Sequence, residues 1–373
     1  MSDIKVVPID SKSDIKNFVK FQWKVYDGNL YWVPPLLMDR YKILNKEKNP
    51  FFKHAQMQLF LAYNGNEIVG RIAAIKNDLH NSTHNDKVGF WGFFECFDNQ
   101  EVANKLFDSV KEWIKDKGLD KLRGPYNPSV NDENGLLIEG FNDPPRILMT
   151  YNPEYYRTLV ENYGFTKIKD LYAYDIFHDE MLKNEKIKRV GDVAMQRTGM
   201  VLRSMDMKNF KSEIDKVKYV YNKAWEPNWG FVPLTDAEMD ALADDLKPLV
   251  QPDLVIFGEI ENKVVGFALV MPDYNSVFKK MNGRLFPTGI FHLLFGKKAI
   301  KWVRIIILGL VPEFQKKGLD AAFYYYILNK AAEHGWYHGE ASWILEDNEM
   351  MNKGAVTMRG TLYKKYRIFE LDI

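Results

Sequence analysis

The chain has 373 residues, beyond the roughly 100–200 residues typical of one domain, so two domains are expected. Hydrophobic residues make up 46% and aromatics 14%, enough for packed cores, which excludes a disordered chain. The 51 basic and 50 acidic residues leave a net charge of +1, without the basic excess that neutralising phosphates requires, so no nucleic-acid partner is expected.

The stretch Met1–Lys5 has no apolar signal core. The most apolar long stretch, Leu285–Val311, is interrupted by Lys297, Lys298, Lys301 and Arg304, so it reads as no membrane span. A cytoplasmic protein is expected. The single cysteine, Cys96, cannot form an internal disulfide or a multi-thiolate metal site, and its apolar run Gly89–Phe97 predicts a buried, inert thiol. The histidines show no metal-ligand spacing, so no metal is expected.

Taken in chain order, a short apolar strand ends at Ile9-Asp10 and leads into a helical pattern, followed by Trp32-Val33-Pro34. Leu59–Ile75 reads as a strand–turn–strand around Asn64-Gly65-Asn66. An apolar strand then runs to Phe97 and into an amphipathic helix striped by Ala103, Leu106, Phe107, Val110, Trp113 and Ile114, which stops at Gly118. The turn Asp132-Glu133-Asn134 and the segment Tyr163-Gly164-Phe165 close this half.

After the charged stretch Asp179–Arg197 the series returns in the same order. Met205-Asp206 repeats Ile9-Asp10, Phe231-Val232-Pro233 repeats Trp32-Val33-Pro34, and Leu254–Val270 repeats the hairpin, with Val265-Gly266 for Val69-Gly70. The strand ending at Phe314, the helix with Leu319, Ala322, Phe323, Tyr326 and Leu328, its stop at Gly335, and Glu346-Asp347-Asn348 follow at a spacing lengthened by about twenty residues. Such a series predicts a duplication: one domain over 1–178, a linker helix over 179–198 and a second domain over 199–373, with an insertion near 274–302. Each copy reads as a mixed, mostly antiparallel sheet flanked by helices, an α/β (α+β) fold. No glycine-rich loop follows the first strand of either copy, which argues against a doubly wound nucleotide-binding fold.

The most chemically specific segment follows the buried-strand pattern Arg304–Val311. In Gln315-Lys316-Lys317-Gly318-Leu319-Asp320-Ala321 a glycine turn enters a helix, whose unpaired N–H groups and positive end favour an anion, with Lys316 and Lys317 adding charge. Here the sequence resembles the GNAT N-acetyltransferase superfamily, whose signature is Gln/Arg-x-x-Gly-x-Gly/Ala after the fourth strand. The last signature position is Asp320 in this chain. The resemblance implies that the turn holds the diphosphate of acetyl-CoA or another acyl-CoA, with the pantetheine along Leu308–Val311, including Leu310 and Val311. It also implies a role for Asn348 in the turn after the fifth strand, and makes Tyr363, in Thr361–Tyr366, the proton donor to the departing thiolate. The Gly-Phe expected after it is replaced by Arg367-Ile368. Glu346 or Glu340 would supply the base.

The first copy is expected not to bind the coenzyme. Asp98 and Glu101 stand where the second copy has its turn, Val160 stands at the tyrosine position, and Asn127–Asn134 with Tyr151–Tyr156 would shape an acceptor cleft. The reading is an acyl-CoA-dependent N-acyltransferase that transfers acetyl to a small-molecule or peptide amine whose identity the sequence does not give. Two alternatives stand beside it: a non-catalytic acyl-CoA or peptide-binding pseudoenzyme, and a Fem-type aminoacyltransferase. From Tyr274 to Pro312 there is no Asp or Glu, while seven Lys and Arg residues alternate with aromatics; the segment reads first as a solvated loop with a few core anchors, and otherwise as a contact for the 3′-phosphate of coenzyme A, an acidic carrier protein or an anionic surface through 274–304.

Overall fold

A computed structural model describes residues 4–226 and 228–373; Met1–Asp3, the start of the stretch read for a signal core, lie outside the described residues. The chain forms two compact units. The first comprises Met1–Leu171, Phe278–Leu293 and Lys364–Ile373; the second comprises Tyr172–Val277 and Leu294–Tyr363.

In the first unit the strands Ile4–Ile9, Ala55–Asn64, Glu67–Asn77 and Val88–Cys96 pair antiparallel in that order, and Val88–Cys96 then pairs in parallel with Lys121–Gly124. The parallel step needs a crossover, which the helix Gln100–Asp116 supplies. Of its predicted stripe, Ala103, Leu106, Phe107, Val110 and Ile114 are fully buried, while Trp113 is half-buried and packs at the edge of the same core.

The second unit repeats this plan. Val201–Ser204, Val255–Ile260, Lys263–Pro272 and Trp302–Leu310 pair antiparallel, and Trp302–Leu310 pairs in parallel with His338–Leu345 after the crossover helix Leu319–Glu333. The fourth strand ends at Leu310 rather than at Phe314, because Pro312 has no N–H for a ladder and opens a short 3-10 turn, Pro312–Phe314. The insertion falls between the third and fourth strands, as the spacing predicts.

The compact units do not follow the boundaries drawn on the sequence. Residues 179–198 form the end of helix His178–Leu182 and the helix Glu185–Thr198. The latter packs inside the second unit, with Gly191 so close to Ala322 that an added Cβ would lie 2.8 Å from the Ala322 nitrogen. The strands Thr166–Phe177 and Thr361–Asp372 are each divided at the unit border. Residues of Thr361–Asp372 pair with Lys121–Gly124 in the first unit, where Phe369 is fully buried in the core. Tyr174 and Ile176 belong to the core of the second unit. The reason is hydrophobic: each core lacks a strand next to its fifth, and a segment distant in sequence covers it.

Candidate active site

The parallel ladder in the second unit runs from Trp302–His338 to Ile305–Ala341 and stops, although the two strands continue to Leu310 and Leu345. On the other side of Trp302–Leu310 the register shifts, so that Leu269 faces Ile307 while Val270 faces Ile305. Ile306 is the extra residue of a β-bulge, and a bulge bends and twists its strand. The result is a splayed pair in which residues 306–310 lie beyond the end of the parallel ladder.

At the end of that stretch the chain turns toward the helix. Gln315 Nε2 donates to the Leu310 carbonyl at 2.9 Å, tying the turn to the strand. Lys316 and Gly318 adopt positive φ, +58° and +80°. A Cβ on Gly318 would also lie 2.8 Å from Val190 Cγ1, so this glycine is required both by conformation and by space. Leu319 and Ala321 are buried and contribute backbone only, while Lys316 and Lys317 are exposed. This fits a diphosphate in shape and charge, with one conflict. Burial raises the Asp320 carboxyl above its ordinary range, partly countered by bonds from the N–H groups of Asp320 and Ala321, so a carboxylate already occupies part of the helix N-terminal field.

Beside the splay lies a buried polar chain. Glu340, with no exposed surface, accepts from the Ser342 hydroxyl at 2.5 Å and from the Tyr363 hydroxyl on its other oxygen. Arg304 Nε donates to Ser342 Oγ at 2.8 Å, and its Nη2 donates to the Ser342 carbonyl at 3.0 Å. Tyr363 is half-buried and stacks with Trp302 at 6.4 Å between centroids. It stands at the start of a strand, whereas Tyr163-Gly164-Phe165 ends a helix. The motif comparison behind Tyr363 therefore does not extend to the backbone; its partnership with Glu340 does not depend on that comparison.

Glu346 lies just past the end of strand His338–Leu345, and Asn348 caps the helix Glu349–Thr357 by accepting from Met351 N at 3.1 Å. Neither is brought to Glu340 by a hydrogen bond described here. Sequence reasoning missed Arg304 and Ser342 as members of the cluster. The available signal was an arginine inside an apolar strand, which must find buried partners.

The first unit holds a different cluster, also missed. Glu95 is buried, and it accepts from Gln22 Nε2 at 2.7 Å and from the Tyr156 hydroxyl at 2.7 Å, with Arg71 Nη2 at 3.4 Å. Burial raises its carboxyl above the ordinary range against the pull of Arg71. The turn before helix Gln100–Asp116 is capped by Asn99, which accepts from Glu101 N at 3.0 Å and Val102 N at 3.2 Å, so the cap is the Asn99 amide and not the carboxylates Asp98 or Glu101. Asn127 Oδ1 accepts from Phe93 N at 2.6 Å, and a Cβ on Gly92 would lie 1.6 Å from the Tyr126 carbonyl oxygen, so backbone fills the space beside this strand. Val160 is buried, and Cys96 is a buried thiol pushed up to about 12 by burial.

Two halves of one strand and helix order, with a splayed fourth and fifth strand in the second, define a tandem GNAT fold. Solved structures agree on the fold. A tandem GNAT protein of the clavulanic acid biosynthesis pathway aligns over 99% of this chain and 98% of its own, with a TM-score of 0.59 at 9% identity. A probable N-acyltransferase of Enterococcus faecalis V583 aligns over 100% and 73%, with a TM-score of 0.53 at 9% identity. No protein-family profile matches the chain. Full-length relatives do: the bacterial ceramide synthase of Caulobacter vibrioides is 33% identical over 99% of this chain and 97% of its own length. Protein YghO of Escherichia coli is 30% identical over 97% and 94%. The chain belongs to the family of these two proteins.

Proposed function

We propose that the protein is an acyl-CoA-dependent N-acyltransferase that joins a fatty acyl group to the amine of a long-chain amino alcohol, forming a ceramide-type amide. The observation that carries this reading is the full-length relationship to a bacterial ceramide synthase, and the splayed edge beside the Glu340–Tyr363 pair supports it. The turn Gln315–Asp320 would hold the diphosphate, and residues 306–310 the extended arm. The first unit, with its turn capped by Asn99 and its space filled by Tyr126 and Asn127, would take no coenzyme and would serve the acceptor.

The chemistry needs one proton moved. The neutral amine attacks the thioester carbonyl, forming the C–N bond, and the C–S bond breaks. Glu340 has no exposed surface, so it acts through Tyr363. The phenol oxygen takes the amine proton as its own proton passes to Glu340; Glu340 then returns it, and Tyr363 delivers a proton to the departing thiolate. Ser342, held by Arg304, keeps the other carboxylate oxygen bonded and so orients the carboxylate. The test is to incubate the purified protein with palmitoyl-CoA or acetyl-CoA and sphinganine, following thiol release and the amide by mass spectrometry. Amide formed with the long-chain donor is the expected result; no thiol release above background with either donor would refute the reading.

A further inference from the structure

Residues 284–298 carry a surface that the proposed chemistry does not use. Phe286, Phe291, Leu294 and Phe295 are 69%, 60%, 62% and 76% exposed, four large apolar side chains within ten residues. No other ten-residue stretch among the described residues exposes more than two. Three of them project from the short helix Gly289–Phe295, the fourth from the turn that precedes it. Exposed Lys279, Lys280, Arg284, Lys297, Lys298 and Lys301 flank this tip on both sides in sequence, and no Asp or Glu occurs between Tyr274 and Pro312.

The start of the segment is fastened down. Trp23 Nε1 donates to Asn282 Oδ1 at 2.8 Å, Leu37 N donates to the Gly283 carbonyl at 2.9 Å, and Lys279 donates to the Leu30 carbonyl. Gly283 is buried with positive φ, and a Cβ there would lie 2.5 Å from the Trp23 ring. The fold therefore holds the apolar tip outward although water disfavours exposing it.

We propose that this segment docks the protein on the surface of an anionic phospholipid bilayer, with Phe286, Phe291, Leu294 and Phe295 entering the acyl boundary and the lysines and arginine meeting headgroup phosphates. An aromatic and leucine tip with cations on both flanks matches such an interface in both of its layers. No helix among the described residues is long and apolar enough to cross a membrane, so the contact lies on the surface. A second copy meeting the same patch would set like charges against one another without an acid on the segment to offset them. The inference does not rest on the acyltransferase reading, since it concerns binding alone.

The experiment is co-sedimentation of the full chain with vesicles of phosphatidylcholine alone or mixed with phosphatidylglycerol, alongside light scattering for the oligomeric state. The wild type should sediment with the mixed vesicles, weakly with the neutral ones, and lose binding as salt rises. Lys297→Glu/Lys298→Glu should lower the partition about tenfold or more. Phe291→Ser/Phe295→Ser should lower it at low salt too, with circular dichroism unchanged because both sites are exposed. Equal binding to both vesicles, or undiminished binding by the Phe variant, would overturn the proposal. So would a wild-type dimer that the Phe variant converts to monomer while neither form binds vesicles.

Discussion

Arg304 and Glu340 are Cα partners on two parallel strands, and the hydroxyl of Ser342 joins them, accepting from the arginine and donating to the carboxylate. With Arg304 Nε 3.7 Å from Glu340 Oε1, the charges are close but linked mainly through the serine. The other carboxylate oxygen is left to Tyr363, so a buried charge is relayed to a half-buried hydroxyl.

From this follows the first expectation. Tyr363→Phe and Glu340→Gln should each lower kcat by roughly tenfold to ten-thousandfold, the range of a lost proton-transfer group, with acyl-CoA affinity little changed. The double variant should be scarcely worse than either single one, because the two act as a unit. Single-turnover kinetics read this directly; a wild-type kcat in Tyr363→Phe would leave the pair a packing feature.

Asp320 sets the second. Its carboxyl lies in the field of the N–H groups at the start of the helix. Asp320→Asn removes a charge that opposes a diphosphate and should tighten coenzyme A in calorimetry, whereas Gly318→Glu should abolish binding. Weaker binding by Asp320→Asn would move the diphosphate away from this turn.

Stoichiometry sets the third. Titration of coenzyme A into the full chain should give one site, since Asn99 already satisfies the corresponding turn of the first unit. Two sites would show that the filled space beside Gly92 opens.

A fourth concerns packing in the second unit. Gly191→Ala would place a Cβ 2.8 to 2.9 Å from the Ala322 backbone, which cannot give way as a flexible side chain does. We expect a cost of about 1–3 kcal/mol and a lower Tm by calorimetry.

The last concerns acid. Burial would raise the Glu213 carboxyl, but bonds from Arg203, Lys216 and the Asp206 N–H outweigh it and hold the group below its ordinary range. The folded value is thus below the unfolded one. This contribution is fully present above the ordinary glutamate value of about 4.3 and is lost as pH falls through the lowered folded value. Glu213→Gln should melt lower than wild type at neutral pH, with the difference shrinking as the pH is lowered below that value.

The duplication, the order of strands and helices, the insertion and the glycine turn were legible because each rests on neighbours in the chain. Alternating apolar residues, a helical stripe such as Ala103–Ile114, and a glycine turn entering a helix at Gly318 are local demands that a sequence states by itself. Its composition alone also marked 274–304 as acid-free and aromatic. Only the tertiary structure decided that Phe369 completes the first core and Ile176 the second, since strand pairing between distant segments depends on which apolar faces remain uncovered. The same holds for the polar clusters. Glu340 and Glu346 look alike in sequence; what separates them is that one is fully buried with Ser342, Arg304 and Tyr363 around it, while the other lies in a turn past the strand. Burial and partners of an ionisable group come from residues far along the chain, and no local pattern encodes them.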